Sequence, residues 1–168
     1  MLGPTKRPWL LAAVLCVLTA LAALPARAAL DPTLVRGLGG DFNARVAAID
    51  ALGVSGGDEA AALLDALESG RLGTLDGRVV IVAPDGLRDA ASGEALAAEA
   101  GAATRITVNN RLRRAIGTAQ AALALSAPQP AQRLAAANTL REHASPALLP
   151  VLARALEAEP DAAVREVL

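Results

Sequence analysis

Apolar residues fall at helical spacing over most of this chain, and the polar residues between them fall where helices start and stop. Leu34, Val35 and Leu38 form one apolar side. Phe42, Val46, Ile49 and Leu52 form a second, and Ala60, Leu63, Leu64 and Leu67 a third at i, i+3, i+4 and i+7. Leu112, Ile116, Ala119 and Leu123 mark a fourth, longer helix. Each stripe has a start signal: Asp31 before Pro32, Asp41 before Phe42, Asp58 at the head of the third and Asn110 as cap of the fourth. Such side chains accept hydrogen bonds from the free N–H groups of a first helical turn, and proline fits where no N–H is needed. Gly39-Gly40 and Gly53 are read as stops, and the fourth helix ends before Pro128 and Pro130.

The helical pattern repeats. Gly40-Asp41 through Arg45-Val46 to Leu52 aligns with Pro128-Gln129 through Arg133-Leu134 to Leu140, and 32 residues further on Pro160-Asp161 through Arg165 repeats the start. A second helix follows the first two copies: Asp58 to Leu67, and Ser145 to Leu156 with Pro146 in its first turn and Leu149, Leu152 and Leu156 expected inward. Recurring helical hairpins predict an α-solenoid. The pattern resembles HEAT-like repeats, and that resemblance implies that the Asp stabilises a helix start while the Arg one turn later decorates the surface between repeats.

An insert from about residue 70 to 108 breaks the period. Asp76-Gly77 is a two-residue hairpin signal, followed by the β-branched run Arg78-Val79-Val80-Ile81-Val82. Pro84-Asp85-Gly86 and Ser92-Gly93 turn the chain again, Glu94 to Ala103 reads as a loose loop, and Arg105 to Val108 as a last short strand. The fold class is therefore mainly α: helical repeats interrupted by a small antiparallel β insert.

The N-terminus has a different logic. Lys6 and Arg7 precede an apolar run from Trp9 to Leu24 broken only by Thr19, and Ala26-Arg27-Ala28 supplies a small-x-small pattern. Residues 1–28 read as a secretory signal cut after Ala28, with Ala26 and Ala28 flanking the site. An uncleaved anchor is the alternative, but the run has 16 residues, short of the ~20 that cross a bilayer core. Cys16 follows Leu15 rather than the small residue a lipoprotein signal requires.

Cleavage changes the charge and the available chemistry. Of 16 basic residues it removes Lys6, Arg7 and Arg27, leaving 13 arginines against 17 acidic residues, a net charge of −4 with His neutral. With Phe42 then the sole aromatic, neither a basic field nor stacking platforms remain, which argues against nucleic acid as a partner. Export implies an oxidising compartment, but no cysteine is left to form a disulfide. His143, near Ser145 and far in sequence from Asp161, has no acid partner fixed by spacing. No nucleophile elbow, phosphate loop or metal-ligand spacing is present. The reading is of a non-enzyme with no cofactor and no metal.

Asn109, Asn110, Arg111, Arg113 and Arg114 form the densest polar cluster, where the last strand gives way to a helix. Arginines in a first turn oppose the helix dipole, so they call for a compensating partner. Two kinds fit: carboxylates of another protein, or internal carboxylates of the insert such as Asp89, Glu94 and Glu99.

Several of these features occur together in one known setting. An export signal, the start Leu30-Asp31-Pro32, the segment Gly40-Asp41-Phe42, the hairpin Asp76 to Val82 and above all Val108-Asn109-Asn110-Arg111-Leu112-Arg113-Arg114 resemble the N-terminal extracytoplasmic region of urea ABC-transporter permeases, within the branched-chain amino-acid permease family. The resemblance spans essentially the whole chain. It implies a domain at the periplasmic face of the inner membrane, contributing docking or assembly to urea transport. The implied partners are a second permease subunit, a periplasmic substrate-binding protein and, through a membrane domain, the ATPase subunits. That membrane domain would follow this region; no run of ~18 apolar residues occurs after Leu24, so the chain is expected to be a fragment or a truncated reading frame. A free periplasmic HEAT-like scaffold that binds a protein partner is the alternative. Urea as substrate rests on the resemblance alone.

Overall fold

The structure, a computed structural model, describes residues 30–168. The signal segment and its cleavage residues Ala26 and Ala28 lie outside the described residues. Seven α-helices and a five-stranded antiparallel sheet make up the remainder, so the chain is mostly helical with one small sheet.

Helix α1 (Pro32–Leu38) is capped by Asp31, whose Oδ1 accepts from Thr33 N–H at 2.8 Å. Helix α2 (Phe42–Ser55) is capped by Asp41, whose Oδ1 accepts from Ala44 N–H at 2.8 Å. Both starts agree with the expected carboxylate caps. The expected stop at Gly53 does not occur. Gly53 is buried inside α2, and the helix ends at Gly56 (φ +74°), a left-handed conformation that glycine adopts without penalty. Helix α3 (Asp58–Glu68) is preceded by Gly57 as N-cap with no side-chain cap bond, so Asp58 sits in the first turn rather than before it.

Strands β1 (Leu72–Leu75), β2 (Arg78–Ala83), β3 (Gly86–Asp89), β4 (Ala95–Leu96) and β5 (Thr104–Arg105) follow, in the spatial order β4-β3-β2-β1-β5. Asp76 (φ 49°) and Gly77 (φ 77°) close the β1–β2 hairpin, both left-handed as a type I′ turn requires. The run Val79 to Val82 does not alternate in polarity because both faces of β2 are covered. Val79 and Ile81 pack against the helices, while Val80 and Val82 join Leu87 in a separate apolar cluster with Leu96, Ala98 and Ala103. Residues 94–103 are accordingly not a loose loop: they contribute β4 and a short 3-10 turn (Ala100–Ala102), and cover the outer face of the sheet. The last strand is Thr104–Arg105, not 105–108, although Ile106 N–H still reaches Leu72 O at 3.0 Å.

Helix α4 (Asn110–Ala124) is capped by Asn109, not Asn110: Asn109 Oδ1 accepts from Leu112 N–H at 2.9 Å. Helix α5 (Pro130–His143) starts with proline in its first turn. The expected helix from Ser145 to Leu156 is broken into a 3-10 turn (Pro146–Leu148) and α6 (Leu149–Ala158). Pro150 has no N–H to give to Pro146, so the α-helix cannot run through from the first proline. The change of pitch rotates the apolar face. Leu148 is buried, whereas Leu149 and Leu156, expected inward, are 60% and 42% exposed. Helix α7 (Ala162–Val167) is capped by Asp161.

Two larger cores result. One joins α1, α2, α3 and the first half of α4 to the inner face of the sheet, around Leu38, Ile49, Leu52, Leu64, Leu67 and Ile116. The other joins the end of α4 to α5, the 3-10 turn and α7, around Leu125, Ala137, Leu140, Leu148 and Val164. Helix α4 spans both and is the element that unites the molecule.

The recurring arginines share one job. Arg45 donates to Leu38 O and Gly40 O, both at 2.8 Å. Arg133 donates to Ala127 O at 2.9 Å and Pro128 O at 3.1 Å, and Arg165 to Glu159 O at 3.1 Å and Pro160 O at 3.4 Å. Each guanidinium reaches back and ties down the turn that leads into its own helix, satisfying carbonyls that a turn leaves free.

Candidate docking surface

Helices α2 and α4 run in the same direction. At one end the Arg111 guanidinium stands 4.9 Å from the centroid of the Phe42 ring, first residue of α2. Towards the other end, a Cβ built on Gly53 would lie 3.0 Å from the Cα of Ala119. The N-termini of two helices, of 14 and 15 residues, therefore lie side by side, and their partial positive charges add.

The arginine cluster sits at that corner. The Asn109 carboxamide is fixed by its cap bond, and Leu112 turns inward and is buried. Asn110, Arg111, Arg113 and Arg114 are exposed around it. Arg111 gains a cation–π contact over Phe42. The carboxylates of the insert do not come to meet these cations. Asp89 Oδ1 instead accepts from Ala91 N–H and Ser92 N–H at 2.9 and 3.0 Å, closing its own turn. Glu94 and Glu99 are exposed and form no ion pair among the described residues. Among the described residues, Arg111, Arg113 and Arg114 have no carboxylate partner.

His143 lies exposed at the end of α5, its Nε2 3.8 Å from the carboxylate of its neighbour Glu142. Asp161 is occupied as the α7 cap, accepting from Ala163 N–H at 2.9 Å. Ser145 Oγ is buried and completes no hydrogen bond of good geometry. The nearby Asp50 carboxyl is pushed up by burial, and the Ser145 hydroxyl offsets this in part by favouring the charged form. His143, Ser145 and Asp161 thus form no relay. Among the described residues no group of three or more His, Cys, Asp or Glu is placed to hold a metal ion, and no helix is long and apolar enough to cross a membrane.

A buried ion pair involves a residue that the sequence does not single out. Arg133 and Glu159 form a two-pronged bond, Nε to Oε2 at 2.7 Å and Nη2 to Oε1 at 2.8 Å, with side chains 11% and 3% exposed. Oε1 also accepts from Asp161 N–H at 2.9 Å. Arg133 holds the Glu159 carboxyl below the usual carboxylate range, and Glu159 raises Arg133 in turn. One signal in the sequence pointed here: the third copy of the repeat begins immediately after Glu159, at Pro160-Asp161. No family model, curated protein or solved structure matches the chain.

Proposed function

We propose that this chain is a docking or assembly domain on the extracytoplasmic side of a urea ABC-importer permease. The observation that carries the reading is the corner formed by Arg111, Arg113 and Arg114. Three exposed guanidiniums sit beside two aligned helix N-termini with no carboxylate partner among the described residues. Such a surface disfavours being left alone and favours an acidic partner face, because like charges and the helix dipoles raise the potential together. Assignment of the partner to an importer, and of urea to its substrate, rests on the resemblance of the segment Val108 to Arg114 and the elements around it. In this reading the helices are HEAT-like repeats, supported by the same arginine staple at Arg45, Arg133 and Arg165.

The double reversal Arg111→Glu/Arg114→Glu tests the proposal in the complete importer. In cells that depend on urea for nitrogen, urea uptake should fall at least about tenfold, since charge-assisted contacts contribute roughly 1.5–3 kcal/mol each. Permease abundance and the melting temperature of the isolated domain should stay near wild type. Unchanged uptake at unchanged abundance would remove the cluster from any docking role; uptake and melting temperature falling together would assign it to stability instead.

A further inference from the structure

The alignment that gathers two helix N-termini at Arg111 gathers two C-termini at the opposite end of α2 and α4. There α6 forms a third wall, and the three helices enclose a groove of about 480 Å³, within the range of small-ligand sites. Its walls are apolar, from Leu123, Val151 and Ala155. Its two poles are polar and opposite in character.

The first pole is rich in acceptors. Neither α2 nor α4 has a basic residue in its last turn. In α2, Leu52 O accepts from Ser55 Oγ at 2.9 Å, but among the described residues no hydrogen bond from beyond the helix reaches the carbonyls of Gly53, Val54 or Ser55. At the end of α4 the carbonyls of Ala122, Leu123 and Ala124 already accept from the N–H groups of Leu125, Ser126 and Ala127, and Leu123 O also from Ser126 Oγ. The open acceptors of this pole therefore belong to α2, with the partial negative charge of its C-terminus. The second pole is Arg154, which lines the groove from α6. Its Nε donates to Pro150 O at 3.2 Å, and it has no carboxylate partner among the described residues. The other charged side chains lining the groove, Arg133 and Glu159, neutralise each other.

We propose that this groove binds a short zwitterionic peptide with apolar side chains: its carboxylate on Arg154, its ammonium at the carbonyl end of α2, and its side chains against Val151, Ala155 and Leu123. Each alternative of simpler charge meets an opposing pole. A plain apolar anion would suit Arg154 but face the open carbonyl end of α2, and a plain cation would suit that helix end but face Arg154. The apolar walls disfavour a small fully polar solute, which would leave them wet. The site is separate from the arginine corner at the far end of the same helices.

Titration calorimetry of the purified protein with leucyl-leucine as probe decides the matter. Wild type should bind saturably. Arg154→Gln, an exposed change, should weaken binding at least about tenfold through loss of a charge-assisted contact, and amidation of the probe's carboxylate should do the same. N-acetylation of the probe should weaken binding through the other pole, and Ala155→Phe should abolish it by filling the groove. Should Ala155→Phe fail to fold, Arg154→Gln and the two modified probes still carry the test. Arg111→Glu/Arg114→Glu should bind leucyl-leucine as wild type does, so failure of this site and failure of the docking surface are read separately. No saturable binding by wild type, or equal binding by wild type and Arg154→Gln, would overturn the proposal.

Discussion

Gly53 of α2 and Ala119 of α4 set how closely the two central helices approach. A Cβ on Gly53 would stand 3.0 Å from the Cα, 3.1 Å from the Cβ and 3.3 Å from the carbonyl oxygen of Ala119. Two of these atoms are backbone and cannot move without moving α4. A methyl group at 53 therefore pits helix propensity, worth about 1 kcal/mol in favour of Ala over Gly, against overpacking, which costs roughly 1–3 kcal/mol. The rigid neighbour makes overpacking the larger effect. Gly53→Ala should lower stability to chemical denaturation, and Gly53→Leu should lower it further. Stabilisation by Gly53→Ala would show that the helices have room to part.

That contact also shows why Gly53 reads as a helix stop in the sequence. In one dimension, a glycine after an apolar stripe looks the same whether it ends a helix or makes room for another one. The distinguishing fact is Ala119, 66 residues away, and no local signal reports it. What was legible was local chemistry: the caps at Asp31 and Asp41, the turn at Asp76-Gly77, the inward stripe of α3. What was not legible depended on long-range cover, as with residues 94–103, whose strand forms only because β3 and the apolar outer face of the sheet are there to receive it. The candidate cluster was placed correctly as a β-to-α junction. Its lack of carboxylate partners among the described residues was not readable, because Asp89 is committed to its own turn.

The break in the expected Ser145–Leu156 helix gives a direct contrast between neighbours. Leu148 is completely buried in the second core, while Leu149 beside it is 60% exposed. Leu148→Ala should cost about 2–5 kcal/mol, as for other buried leucines, and Leu149→Ala no more than about 0.5 kcal/mol. A continuous helix with Leu149 facing inward reverses that order, so urea denaturation of the two variants separates the arrangements.

The two asparagines at the start of α4 make an equally sharp pair. Asn109 accepts from Leu112 N–H at 2.9 Å as the N-cap, and Asn110 is already helical and exposed. Asn109→Ala should cost about 1 kcal/mol, the usual value of a lost cap. Asn110→Ala should cost nothing and gain a few tenths of a kcal/mol from helix propensity. Thermal melts of both variants check this, and a larger loss at position 110 would move the helix start by one residue. Because α4 unites the two larger cores, a frayed first turn should also blur the Arg111–Phe42 stack, read by the near-ultraviolet signal of the ring.

Acid should act on this fold through Glu159 and Asp50 in opposite directions. Arg133 depresses Glu159 in the folded state, so the unfolded chain takes up the proton first as pH falls. The stabilisation from Glu159 is complete above the unfolded glutamate value of about 4.3, and is lost as pH drops through the lower folded value. Asp50 is raised by burial, so the folded state takes up its proton first. Its contribution improves as pH falls through that raised value and is complete below the unfolded aspartate value of about 3.9. Glu159→Gln keeps the shape of the side chain but leaves the Arg133 guanidinium without its counter-charge. It should destabilise the protein at pH 7 and remove part of the fall in stability below about pH 4.3. Asp50→Asn should instead raise stability at pH 7 and remove the opposing gain in acid. Denaturation midpoints for wild type and both variants, measured from pH 7 to pH 3, test the signs. A Glu159→Gln curve parallel to wild type throughout would mean that the pair with Arg133 does not couple the junction between α6 and α7 to protonation.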